Sequence, residues 1–164
     1  MSVDVDRLLA AGRLERVPPD AVAAHRAIRA ARRHLESAES LAEEDPDLAY
    51  TALYDAMRKA CAALLQERGL RATSRGGHLA VQNAVMALYG RTGVLRPFDR
   101  VRRRRNEVEY LGQEVHPDDV LADLPAAGRI VEFAARRSDV AEPGAALPSR
   151  PHARLISCSP LNCQ

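Results

Sequence analysis

The chain has 164 residues, which is the length of a single domain. Its 24 basic and 22 acidic residues nearly balance, so the net charge of +2 points to no particular class of partner. Lys59 is the only lysine, tryptophan is absent, and the aromatic residues are four tyrosines and two phenylalanines. This composition excludes a β-sandwich built on large aromatic residues and indicates a helical chain.

The sequence divides into three regions by composition. Residues 1–19 form a short leader that ends in two prolines, and residues 20–137 form the body. Residues 138–164 hold four of the ten prolines and few regularly spaced apolar residues. We expect this last region to be a disordered or loosely packed tail.

Five stretches of the body repeat apolar residues every three or four positions, which predicts amphipathic helices. We place Asp20 in the first turn of the first helix, where a carboxylate suits the helix dipole. Asp45-Pro46 separates the first two helices, because the residue before a proline avoids the α conformation. Pro125 predicts a kink in the last helix, or a later start for it. The predicted helices are 20–44, 46–68, 78–89, 97–111 and 117–137.

The segments between these helices are short, and no stretch of the body has the pattern of a strand. Gly69 fits the end of the second helix, and the polar sequence GLRATSRGG at 69–77 predicts a loop. Helices joined by short connections pack antiparallel to their neighbours. The sequence therefore predicts an all-α fold, an antiparallel bundle of four to five helices.

Membrane and metal-binding classes find no support in the sequence. No apolar run approaches the roughly 18–20 residues that span a bilayer, and the first residues lack the apolar core of a signal peptide. Cys61, Cys158 and Cys163 make neither a disulfide framework nor a metal-ligand pattern. We expect a cytoplasmic protein with reduced thiols, no metal and no cofactor.

Arginine is concentrated in the fourth predicted helix, where residues 96–105 hold six arginines against one acid, Asp99. Guanidinium groups bind phosphates through two parallel hydrogen bonds and stack on bases. The cluster therefore predicts a polyanion site, most simply one for RNA. The other interpretation is a solvated basic face with one arginine salt-bridged inside the bundle. The candidate RNA-binding residues are Arg100, Arg102, Arg103 and Arg104.

Helical spacing separates the next arginine from this group. Val101, Arg105 and Val108 fall on one side of the helix, and Arg102, Asn106 and Tyr110 fall on a neighbouring side. Arg105 is therefore predicted to face the apolar side and to be partly buried. A buried guanidinium needs polar partners, which Asn106 and nearby glutamates can supply.

Three segments of the body are distinctive, namely ALYDAMRKACAALLQERGLR at 52–71, a Gly-Gly-His turn at 76–78 and FDRVRRRRNEVEYLG at 98–112. Together they resemble the HEPN superfamily of small α-helical domains. The resemblance covers about residues 20–137. HEPN ribonucleases have an arginine, four to six further residues and then a histidine, often with a polar residue directly after the arginine.

Arg105 matches the arginine of this motif and Asn106 matches its polar neighbour, while Tyr110 stands where the histidine is expected. A second register aligns Arg103 with the arginine and also lacks the histidine, since Val108 takes that place. The resemblance implies catalytic roles for Arg105, Asn106 and Tyr110 in a metal-independent endoribonuclease of toxin or defence type. It also implies a homodimer and an antitoxin or other protein partner.

Tyrosine in place of the histidine leaves a second interpretation open. With an ordinary pKa near 10, a tyrosine is a poorer acid or base at neutral pH than a histidine. The alternative is a non-catalytic HEPN-like module that binds RNA, a nucleotide or a protein. A DNA-binding regulator is a third interpretation, in which the basic helix enters a major groove. The break at 90–97 is long for a helix-turn-helix motif.

Overall fold

A computed structural model describes residues 3–90 and 93–140. Within these residues the protein is an all-α bundle of six helices with one small two-stranded sheet. The helices are α1 (Val3–Ala10), α2 (Ala21–Leu41), α3 (Pro46–Glu67), α4 (Gly77–Tyr89), α5 (Pro97–Leu111) and α6 (Pro117–Val140). The strands are β1 (Leu14–Arg16) and β2 (Leu70–Ala72).

Helix α3 lies at the centre of the bundle and contacts α2, α4, α5 and α6. It buries the largest side chains of the core, because apolar residues occur on more than one of its faces. Helices α2 and α3 run antiparallel, since Asp20 contacts Gln66 near one end and His34 contacts Asp55 further along. The predicted antiparallel packing of these two helices is therefore confirmed. The large buried side chains of α3 are Tyr50, Leu53, Tyr54, Met57, Leu64 and Leu65.

Two aspartates begin the long helices α2 and α3. The Asp20 side chain accepts a hydrogen bond from the Ala23 amide at 2.8 Å, and the Asp45 side chain accepts one from Leu48 at 3.0 Å. Both residues are N-caps, where such a side chain satisfies a free amide of the first turn. Asp20 therefore lies just outside the helix. The prediction that it lies in the first turn was wrong. Helix α2 also ends three residues earlier than predicted.

The absence of strands was a wrong prediction. β1 and β2 pair antiparallel, with Leu14 opposite Ala72 and Arg16 opposite Leu70. Leu14 and Leu70 are buried in the core, so the ladder covers one end of the bundle. Three residues are too few to show an alternating pattern, and the partner strand lies far away along the chain. Part of the predicted loop at 69–77 is therefore β2.

Both ends of the predicted body are extended in the structure. Residues expected to form a leader make α1 and β1, and Val5 and Leu8 of α1 join the core. At the other end α6 continues to Val140, beyond its predicted end at 137, and continues on both sides of Pro125. The remainder of the predicted tail, residues 141–164, lies outside the described residues.

Candidate functional site

Helix α5 is anchored so that its two flanks face different neighbours. Its first helical residue is Pro97, and Gly112 ends it in the left-handed conformation with φ of +63°. Phe98 and Val101 are buried, and the Phe98 ring stacks on Tyr54 with centroids 5.9 Å apart. Because this apolar stripe faces α3, the arginines on either side of it lie in two separate depressions.

The first depression, which we call the α4 concavity, lies beside helices α3, α4 and α5. Its volume is about 310 Å³. The second, which we call the α6 groove, lies between α5 and α6 above α3, and its volume is about 560 Å³. The α4 concavity is lined by Tyr54, Leu79, Arg102, Arg105, Asn106 and Tyr110. The α6 groove is lined by Tyr50, Arg96, Asp99, Arg100, Arg103, Arg104, Glu107, Asp119, Ala122 and Asp123.

The α4 concavity brings together the three candidate catalytic residues, Arg105, Asn106 and Tyr110. Tyr54 and Leu79 join them from α3 and α4. Apolar spacing along the second predicted helix explains Tyr54 only as a packing residue, and no pattern in the sequence singles out Leu79. No sequence signal connects these residues to the α5 motif, because they come from helices whose relative placement depends on the whole core.

Arg105 is held between two aromatic rings. Its side chain is 16% exposed, which confirms the partial burial predicted from helical spacing. Its ζ carbon lies 5.8 Å from the Tyr54 ring centroid and 6.0 Å from the Tyr110 centroid, within range of cation–π attraction. Nη2 pairs with Glu109 at 3.2 Å, while the buried Nε has no hydrogen-bond partner among the described residues. The guanidinium is thus fixed in place with an unused donor.

The two tyrosines of the α4 concavity differ in exposure. Tyr54 is buried, and burial raises the pKa of its hydroxyl to about 12. Tyr110 is 73% exposed, so most of its ring faces solvent at the rim. Leu79 is also exposed. The concavity therefore combines cationic, amide and apolar aromatic groups within a single small volume.

Arg102 lines the same concavity, and hydrogen bonds that the sequence did not predict hold its guanidinium in place. Its Nε donates to Gln82 Oε1 at 2.9 Å, and its Nη2 donates to Asp99 Oδ1 at 2.9 Å. Gln82 lies on α4 and is nearly buried. Hydrogen bonds from Gln82 and then from Arg102 lower the pKa of Asp99 to about 2.

The α6 groove holds the other candidate RNA-binding residues, Arg100, Arg103 and Arg104. Both terminal nitrogens of Arg100 donate to the carboxylate of Asp123, one of them at 3.1 Å. The hydroxyl of Tyr50 donates to the same buried carboxylate at 2.7 Å. Burial and this carboxylate raise the pKa of Tyr50. Arg100 is therefore part of a network that joins α3, α5 and α6.

Carboxylates also lie close to Arg103 and Arg104 in this groove. Arg104 donates to the Gln113 side chain at 2.9 Å and lies 3.5 Å from both Glu107 and Asp119. Arg103 pairs with the second oxygen of Asp99. The lining has as many carboxylates as arginines, so salt bridges offset much of the positive charge on this flank of α5. It also places Arg103, the arginine of the second motif register, outside the α4 concavity.

The described part of the chain offers neither a metal cluster nor a membrane-spanning helix. No group of three or more His, Cys, Asp or Glu side chains within it is arranged to hold a metal ion. None of its helices is long and apolar enough to cross a bilayer. Cys61 is fully buried in α3, and burial raises the pKa of its thiol to about 12, which makes it a poor nucleophile.

Comparison with protein-family models, curated proteins and solved structures finds no match to this chain.

Proposed function

We propose that this protein is a HEPN-like RNA-binding domain that holds unpaired RNA in the α4 concavity. One observation carries the proposal: Arg102, Arg105, Asn106 and Tyr110 line the same small depression. Nucleotides need this combination, because arginine binds phosphate, an amide reads base edges or the 2′-hydroxyl, and an aromatic ring stacks on a base. The position of the HEPN-like motif at this depression adds support.

Each lining residue has a role that suits its surroundings. Arg105 offers its positive charge to a phosphate, and Arg102 offers a second guanidinium. The exposed ring of Tyr110 stacks on a base, and Asn106 supplies both a donor and an acceptor. A volume of about 310 Å³ suits one splayed-out nucleotide and not the groove contact of a duplex.

The concavity favours binding over cleavage. General acid–base cleavage of RNA needs a group that exchanges a proton near neutral pH. Among the described residues that line the concavity, only arginines and tyrosines titrate, and burial raises the pKa of Tyr54 to about 12. Arg105 can stabilise the developing charge on a phosphate, but this leaves the proton transfers without a matched group.

A metal-independent endoribonuclease of toxin or defence type is the second candidate function. It is favoured by the juxtaposition of Arg105, Asn106 and Tyr110, in which the tyrosine replaces the histidine of the HEPN motif. The homodimer and the antitoxin-like partner implied by the same resemblance stay predictions, because one chain is described.

The test is a titration of fluorescein-labelled single-stranded RNA in EDTA at two salt concentrations. We expect salt-sensitive binding by the wild type and a loss of about tenfold or more in affinity for Arg105→Ala. Arg136→Ala is the matched control, since it removes an exposed arginine of α6 that does not line the concavity. Duplex RNA and duplex DNA of the same length should bind more weakly.

Two outcomes would change this assignment. Equal RNA affinity in the wild type and in Arg105→Ala would exclude the α4 concavity as the binding site. Strand cleavage by the wild type that is absent from the Arg105 variant would establish the second candidate function and would show that Tyr110 suffices without a histidine.

A further inference from the structure

We infer that Gln82 and Asp99 are positioning residues, which fix Arg102 as a phosphate-binding guanidinium on the wall of the α4 concavity. The inference rests on the RNA-binding function proposed above. It concerns a residue of α4 and an acid of the arginine cluster, neither of which belongs to the HEPN-like motif.

The three side chains form a closed ring of hydrogen bonds. Gln82 Nε2 donates to Asp99 Oδ1 at 2.9 Å, and Arg102 donates to that same oxygen at 2.9 Å. The ring closes where Arg102 Nε donates to Gln82 Oε1, also at 2.9 Å. Gln82 therefore uses both ends of its amide, whereas an ionised glutamate of the same length could accept from Arg102 but could not donate to Asp99.

This ring leaves one edge of the guanidinium unused. It occupies Nε and Nη2 of Arg102, while Nη1 makes no hydrogen bond to any residue that the structure describes. The side chain is 21% exposed and lines the concavity. A guanidinium already fixed in one orientation loses little conformational entropy when it binds a phosphate, which improves affinity.

The effect on RNA affinity that we expect from removing the Asp99 charge is opposite to the effect of the charge alone, and this makes the inference testable. A carboxylate near an RNA site repels phosphate, so removing its charge should strengthen binding if it acts only through its field. If Asp99 orients Arg102, removing the charge should weaken binding. Its second oxygen pairs with Arg103 on the other flank of α5, so Gln82 is the cleaner residue to change.

The first experiment is a double-mutant cycle measured by RNA affinity. We expect Gln82→Leu to raise the Kd for single-stranded RNA about fivefold in the wild type and to have no effect in Arg102→Ala. A merely structural role for Gln82 would lower affinity equally in both backgrounds. Gln113→Leu is the matched control, because Gln113 hydrogen-bonds Arg104 at the same 2.9 Å in the α6 groove. It should leave the Kd unchanged.

The second experiment uses Asp99→Asn, which keeps the shape of the side chain and serves if Gln82→Leu does not fold. We expect a Kd several times higher than that of the wild type, although the variant is more positive by one charge. A lower Kd would overturn the inference, as would equal losses from Gln82→Leu with and without Arg102. Absence of RNA binding by the wild type would instead refute the proposed function. RNA binding that depends on Arg105 but is unchanged by Gln82→Leu would refute this inference and would leave the proposed function intact.

Discussion

The two flanks of α5 hold the same type of residue in different surroundings. On the α4 side, Arg105 lies against two tyrosine rings with a buried donor unused, and Arg102 keeps one edge free. On the α6 side, both terminal nitrogens of Arg100 donate to Asp123. Those of Arg104 donate to the Gln113 side chain and the Glu114 carbonyl. The sequence alone presents all of these as one basic cluster.

The difference shows that the number of arginines is a poor guide to anion binding. A guanidinium whose donors already meet carboxylates must break those contacts before it can bind phosphate. Arg102 and Arg105 each pair with one carboxylate as well, but Nη1 of Arg102 and the buried Nε of Arg105 make no hydrogen bond to the described residues. The salt bridges of the α6 groove join α5 to α6, and the α4 concavity is the candidate binding site. The following changes test this division.

The largest effect is expected on stability, from Asp123→Ala in the α6 groove. The change leaves the buried hydroxyl of Tyr50 and the guanidinium of Arg100 without their shared acceptor. We expect the free energy of unfolding to fall by about 2 kcal/mol, measured by urea denaturation. Asp118→Ala, at an exposed first-turn residue of α6, should cost about 0.5 kcal/mol or less. RNA affinity of folded Asp123→Ala should equal that of the wild type, and a tenfold loss would contradict the division.

The next largest effect is expected on RNA affinity, which should differ between arginine variants on the two flanks of α5. Arg102→Ala should raise the Kd about tenfold, which corresponds to about 1.4 kcal/mol, because it removes a preoriented phosphate ligand. Arg104→Ala should change the Kd about twofold or less, since its donors are already used. The slope of log Kd against log salt should fall by about 0.7 for Arg102→Ala only. Similar losses of affinity in both variants would mean that the RNA tracks both flanks.

A smaller loss is expected from the exposed ring at the rim. Tyr110→Ala should cost about 1 kcal/mol of binding free energy, because stacking of one base on an aromatic ring is lost. Tyr110→Phe keeps the ring and should bind RNA as the wild type does. If the phenylalanine variant lost as much affinity as the alanine variant, the hydroxyl and not the ring would be the binding group.

The smallest effect concerns Asp99, which contacts arginines on both flanks. Its pKa of about 2 in the folded protein lies below the ordinary value of 3.8, so its ionised form stabilises the fold. That contribution is fully present above about pH 5 and is lost as the pH falls through about 2. The side chain is 34% exposed, and solvent screening should keep the effect under about 1 kcal/mol. Urea denaturation of Asp99→Asn and wild type should give converging stabilities as the pH is lowered towards 2, and a gap that stayed constant would exclude this linkage.

Local signals in the sequence accounted for most of the helices. The Asp45-Pro46 pair marked the start of α3, and Pro97 and Gly112 bracketed α5, because capping and proline geometry act within a few residues. Helical spacing also placed Arg105 on the apolar side. The strands β1 and β2 were missed, since a three-residue ladder is stabilised by burial of Leu14 and Leu70 and not by local preference.

The sequence by itself determined that the protein is helical and that α5 carries the arginines, with Arg105 on one side of that helix and Asn106 and Tyr110 on a neighbouring side. Only the tertiary structure decided which arginines keep free donors. Gln82 reaches Arg102 from α4, and Asp123 reaches Arg100 from α6, across 20 and 23 residues of chain. Such pairings depend on how the whole core packs, because side chains from different helices meet only after the apolar faces of those helices have been buried.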